Sequence, residues 1–112
     1  MSARFDPGPF EVRLRAFAAT LEGSEIERVA RPFGVSLYLR WESRGVKRAL
    51  ELQVSSQEPS GVAVWATASK ARKDRSLKIA ALPLEPDAAA LDDALRSAAA
   101  WVELWKVDDF FA

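Results

Sequence analysis

The feature that most limits what this chain can fold into is its C-terminal run, Asp87 to Lys106, which reads DAAALDDALRSAAAWVELWK. Leu91, Leu95, Ala98, Val102 and Trp105 recur at the spacing of one helical face, and Ala94 and Trp101 widen it. Such a helix would be a rod of roughly 30 Å, long enough to cross a small sheet. An apolar stripe of that length has to be buried against another layer, so the next question is what the preceding residues offer it.

They offer strands. Val35, Leu37, Leu39 and Trp41 alternate with Ser36, Tyr38, Arg40 and Glu42. Ser43-Arg44-Gly45 is a tight turn, with Gly45 free to take positive φ. Val46, Arg48, Leu50, Leu52 and Val54 then alternate with Lys47, Ala49, Glu51, Gln53 and Ser55. A turn over 57–61 leads to a third strand at 62–69, where Val62, Val64, Ala66 and Ala68 share one side. A turn over 71–74 leads to a fourth at 75–82, with Leu77, Ile79 and Ala81 expected together. Pro83 and Pro86 stop it, and the long helix opens at Pro86 or Asp87. Connections this short require antiparallel neighbours. The expected fold is α+β: a four-stranded antiparallel meander over about 35–82, packed by the helix at about 87–106.

The N-terminal third is less determinate. Phe10, Leu14, Phe17, Ala18 and Leu21 fit one helical face, while Phe10, Val12, Leu14 and Ala16 fit strand alternation. The abundance of Arg, Leu, Ala and Glu, with Pro9 ahead and Gly23 behind, favours a helix over 10–21. Ser24 to Glu27 matches a capping box, but Pro32 follows closely, so 24–34 is either a short helical turn or an edge strand.

At 112 residues the expectation is a single domain with one core. The start, MSARFDPGPF, has no secretory signal pattern, no apolar run is long enough for a bilayer, and cysteine is absent. These point to a cytoplasmic protein without membrane partners. Histidine and asparagine are absent too, which excludes Ser–His and Cys–His nucleophile pairs and imidazole or thiolate zinc sites. Five scattered glycines form no phosphate loop. Asp92-Asp93 and Asp108-Asp109 are the paired carboxylates, and adjacent helical residues point about 100° apart, so neither pair makes a metal or acid–base site. No catalytic residue, metal or cofactor is expected.

The formal net charge is zero, but it is unevenly placed: −2 over residues 1–27, +7 over 28–78 and −5 over 79–112. Alternate turns of a meander lie at one end of the sheet. Arg44, Lys47 and Arg48 should therefore meet Lys70, Arg72, Lys73 and Arg75 at a single rim. That rim reads either as a contact for anions or as cations that keep sheet edges soluble. Tyr38, Arg40 and Trp65 stand on the face opposite Leu37; exposed, they would form a stacking platform for single-stranded nucleic acid. The apolar N-terminal segment could instead cover that face and make it core. Trp101, Leu104, Trp105, Phe110 and Phe111 make the C-terminus aromatic, either tucked onto the domain or forming an association surface.

In outline, four strands and a helix over 35–106 are similar to the single-strand-binding folds of the Whirly type, with no sequence motif of that family matched. The expected function is a non-catalytic interaction module that self-associates or binds a protein partner. The alternative is a single-stranded nucleic-acid-binding protein using the basic rim and aromatic face.

Overall fold

A computed structural model describes residues 8–57, 60–83 and 88–106. The elements in chain order are α1 (Gly8–Ala18), β1 (Glu25–Arg31), β2 (Gly34–Ser43), β3 (Val46–Ser55), β4 (Gly61–Lys70), β5 (Lys73–Leu82) and α2 (Ala88–Glu103). The class is α+β, and the sheet has five antiparallel strands in the order β1-β2-β3-β4-β5. The expected meander is therefore extended by one strand at its start.

That extra strand is β1. The capping-box pattern at Ser24 to Glu27 does not start a helix. Pro32 leaves too few residues for one, whereas extended backbone pairs with β2 at every position from Glu25↔Arg40 to Arg31↔Gly34. The preceding segment is helical, and α1 stops at Ala18, earlier than the periodicity suggests. Thr20 Oγ1 donates to Phe17 O at 2.7 Å and Ser24 Oγ donates to Ala18 O at 3.1 Å, so side-chain hydroxyls close the helix end.

Gly34 opens β2 at φ 153°, and a Cβ there would meet Val54 O at 2.3 Å. Only glycine lets the β2 and β3 backbones approach at this point. The two hairpins at the far end have two-residue tips, Arg44-Gly45 and Ala71-Arg72, with positive φ at all four positions (53°, 74°, 50° and 67°). Both are type I′ turns, whose twist matches that of the strands they join.

The alternation expected of β5 breaks at an irregularity. Val64 pairs with Ala80 but Trp65 pairs with Lys78, so Ile79 is an extra residue on β5. Leu77 and Ala81 consequently lie on opposite faces, and Ala80 and Leu82 join the buried side instead of Ala81.

Both helices lie on one face of the sheet. Leu37, Leu39, Leu50, Leu52, Val54, Val64 and Ala66 are fully buried there against Leu14 of α1 and Leu95, Ala98 and Val102 of α2. α2 packs over β3, β4 and β5, while α1 packs against β1, β2 and α2. The expected stripe of Leu91, Leu95, Ala98, Val102 and Trp105 is buried, but Trp101 is 41% exposed and does not widen it. Full burial of a leucine such as Leu95 contributes about 1.5–3 kcal/mol by area. Because α1 sits beside α2, no described helix covers the face that carries Tyr38 and Trp65. Burial of those two residues beneath the N-terminal segment is thus corrected. Phe10 and Leu14 gain more by closing the gap beside α2, where an apolar layer already exists.

Candidate interaction surface

Register decides what the uncovered face presents. Glu27, Tyr38, Glu51, Trp65 and Lys78 are successive cross-strand partners and form one row across all five strands. The neighbouring row is Glu25, Arg40, Ala49, Thr67 and Ser76. Directly opposed residues in antiparallel strands share a face and touch, so each row acts as a unit.

The β1–β2–β3 part of this face is tied together by polar contacts. Arg40 stands over the Tyr38 ring, its Cζ 4.4 Å from the centroid, and Arg40 Nη1 bonds Glu27 Oε1 at 2.6 Å. Arg31 donates from Nη2 to the Tyr38 hydroxyl and from Nε to Ser36 Oγ at 3.1 Å. Buried Ser36 donates in turn to Glu51 Oε2 at 2.9 Å, which also accepts from Gln53 Nε2 at 3.1 Å. Tyr38 is thus held by two guanidinium groups, and Glu51 by two neutral donors. On β4, Trp65 is half-buried, and its Nε1 is buried with no acceptor among the described residues. A buried donor left without an acceptor costs about 1–3 kcal/mol.

Two hollows flank the central row. One, of about 620 Å³, lies between Tyr38 and Arg40 on one side and Thr67, Ser69 and Ser76 on the other, where Ala49 supplies no bulk. The other, of about 370 Å³, includes Phe33, Gln53, Ala63, Lys78 and Ala81. Along this face Glu25, Glu27, Glu42, Glu51 and Asp74 are set against Arg31, Arg40, Lys47 and Lys78, so the charge is nearly balanced.

The meander brings the two cationic hairpin tips to the same end, where Gly45, Lys47, Lys70 and Arg72 border one hollow of about 250 Å³. The seven cations expected at that rim are nevertheless not equivalent. Arg48 is 1% exposed and lies beneath α2. It donates to Val102 O and, from Nε and Nη2, to Ser43 O at 3.2 and 3.1 Å. Arg44 donates to Glu103 O and to Glu103 Oε2, the latter at 3.2 Å. Both arginines therefore cap the carboxyl end of α2, whose last carbonyls have no partner within the helix. Of the others, Lys47 pairs with Ser69 on the open face, while Lys70, Lys73 and Arg75 fall on the α2 side of their strands. The basic rim and the aromatic row thus share little surface.

Glu103 organises the α2 end, and helical periodicity alone does not single it out. Its Oε1 accepts from Trp41 Nε1 at 2.8 Å, its Oε2 accepts from Ser43 Oγ at 3.0 Å, and Arg48 Nε lies 3.7 Å from Oε2. Burial pushes the Glu103 carboxyl up, but the bonds from Trp41, Arg44 and Ser43 together with the Arg48 charge outweigh it and hold the group below its ordinary value. Burial lowers the Arg48 guanidinium, with Glu103 opposing and Arg44 reinforcing that shift. A pointer did exist: Arg48 stands in phase with Val46 and Leu50, and a cation in an apolar phase needs a buried partner.

At the C-terminal end of α2, Trp101 and Trp105 make an edge-to-face pair with centroids 5.2 Å apart. Trp105 is buried, and Leu104 is 70% exposed. Phe110 and Phe111 lie outside the described residues. No described helix is long and apolar enough to cross a membrane. No protein-family model matches the chain, and no curated protein or solved structure is significantly similar to it.

Proposed function

We propose that this protein is a non-catalytic binding module that recognises a protein partner through the open face of its sheet. The observation that carries this reading is the row Glu27–Tyr38–Glu51–Trp65–Lys78, left uncovered by the described helices because both pack on the other side. Its aromatic groups are presented among balanced charges, which suits a protein surface better than a phosphate backbone. The flanking hollows can take a partner's side chains. Immobilised wild-type chain should retain a partner that Trp65→Arg loses and Lys70→Glu keeps, with both variants melting like the wild type. Retention by Trp65→Arg and loss by Lys70→Glu would overturn the assignment of this face.

The nucleic-acid reading draws its support from the adjacency of the Arg44-Gly45 and Ala71-Arg72 tips. It requires binding of a single-stranded oligonucleotide that falls by about 0.7 log units per log unit of salt for each phosphate contacted. Loss of such binding in Lys47→Glu plus Lys73→Glu would favour it; no binding at low salt would remove it.

A further inference from the structure

The two edges of the sheet are built differently. β5 carries an extra residue at Ile79 and three cations, Lys73, Arg75 and Lys78, devices that blunt an edge against pairing. β1 has neither bulge nor internal proline, its Arg28 and Arg31 are matched in number by Glu25 and Glu27, and its seven residues pair with β2 in unbroken register. Because β1 is bonded on one side only among the described residues, its outward N–H and C=O groups form a ready template for another strand.

β1 reads EIERVAR, with two acidic and two basic residues, and is electrically neutral. From this edge we infer that β1 pairs antiparallel with β1 of a second copy of this chain, about a two-fold axis at Val29, making one continuous ten-stranded sheet. That register sets Val29 against Val29 of the partner subunit, Glu27 against Arg31 of the partner subunit, and Arg28 against Ala30 of the partner subunit. The two members of each pair share a face, as antiparallel pairing demands. Two opposite-charge pairs and one apolar pair result, with no like charges opposed. The adjacent register, centred on Arg28, would set Arg28 against its own copy and is disfavoured. Arg31 and Glu27 already hold Tyr38 and Arg40, so the contact would join the two open faces into one surface. This pairing does not depend on what the open face binds.

Sedimentation at about 100 µM tests it, and the expected mass is twice the 12.4 kDa chain. Glu27→Arg alone and Arg31→Glu alone each create two like-charge pairs and should weaken the dimer by about tenfold or more. Mixed in equal amounts they should form a heterodimer, and the double reversal should restore the homodimer. Since Arg31 also supports Tyr38, Arg31→Glu could lose its fold. Val29→Lys, which opposes two lysines on the axis, then serves in its place and should be monomeric with a wild-type melt. Trp65→Arg should remain dimeric, separating this interface from the open face. A monomeric wild type, or dimers that survive both Glu27→Arg and Val29→Lys, would overturn the inference.

Discussion

The Arg44-Gly45 and Ala71-Arg72 hairpins resemble each other closely in sequence terms. Each is a two-residue tip between ten-residue strands, each is basic, and both lie at one end of the sheet. The fold uses them differently. The first has glycine at its second tip position and is bound to the end of α2 through Arg44, Arg48 and Glu103. The second has no glycine, holds two L-residues at positive φ, and is exposed throughout Ala71 to Lys78. Cations that look alike along the chain therefore act as a helix cap in one hairpin and as surface charge in the other. What separates them is which turn lies beneath the helix end.

The largest effect on this contrast comes from removing the helix itself. Leu95→Asp places an unpaired carboxylate at a fully buried site and should abolish the cooperative melt. A native-like transition in that variant would mean that α2 is not what the first hairpin is fastened to. Next in size is Arg48→Met, which leaves the Val102 and Ser43 carbonyls without their guanidinium donor and removes one of the two guanidinium groups beside Glu103. A loss of about 2–3 kcal/mol in denaturant unfolding is expected from the buried carbonyls left without a donor, whereas Lys70→Met on the second hairpin should change stability by less than about 0.5 kcal/mol. Equal losses would erase the distinction between the hairpins.

Glu103→Gln should cost about 1 kcal/mol, since the carboxylate is partly exposed and solvent screens it. Its signature is in the pH dependence. A carboxyl held below its ordinary value stabilises the fold above the unfolded-state value, and that contribution is lost as pH falls through the folded-state value. Wild type should therefore lose stability on acidification below the ordinary glutamate range, and Glu103→Gln should lose less; parallel acid limbs would exclude Glu103 as the source. The smallest effect has the opposite sign. Arg72→Gly relieves a side chain held at φ 67°, a conformation that costs an L-residue about 1–2 kcal/mol. Glycine gives part of that back as backbone entropy, leaving a gain of about 0.5–1 kcal/mol. Gly45→Ala at the first hairpin should lose stability by a similar amount, and matching signs at the two tips would contradict the type I′ geometry.

Much of the fold was readable. Period-2 patterning located β2, β3 and β4, and the spacing of Leu91, Leu95, Ala98 and Val102 located α2. β1 is ambiguous in sequence because Ser24 to Glu27 satisfies a helix-start pattern locally, and only pairing with β2 resolves it. Alternation alone gives the wrong phase for β5, because the extra residue at Ile79 lies in the pairing, not in the composition. The candidate site was partly visible: Tyr38, Arg40 and Trp65 share a face as alternation requires. Glu27, Arg31 and Glu51, which tie that face together, come from segments with no sequence motif to connect them.

By itself the chain determined its strand-and-helix content and which side of each strand is apolar, because these follow from side-chain period over a few residues. Tertiary structure decided that both helices occupy one face, that Arg44 and Arg48 serve α2, and that no described helix covers Tyr38 and Trp65. The reason is distance along the chain: Arg48 and Val102 meet across 54 residues. Local periodicity carries no information about partners so far apart; packing into a shared core and satisfying the last carbonyls of a helix decide them.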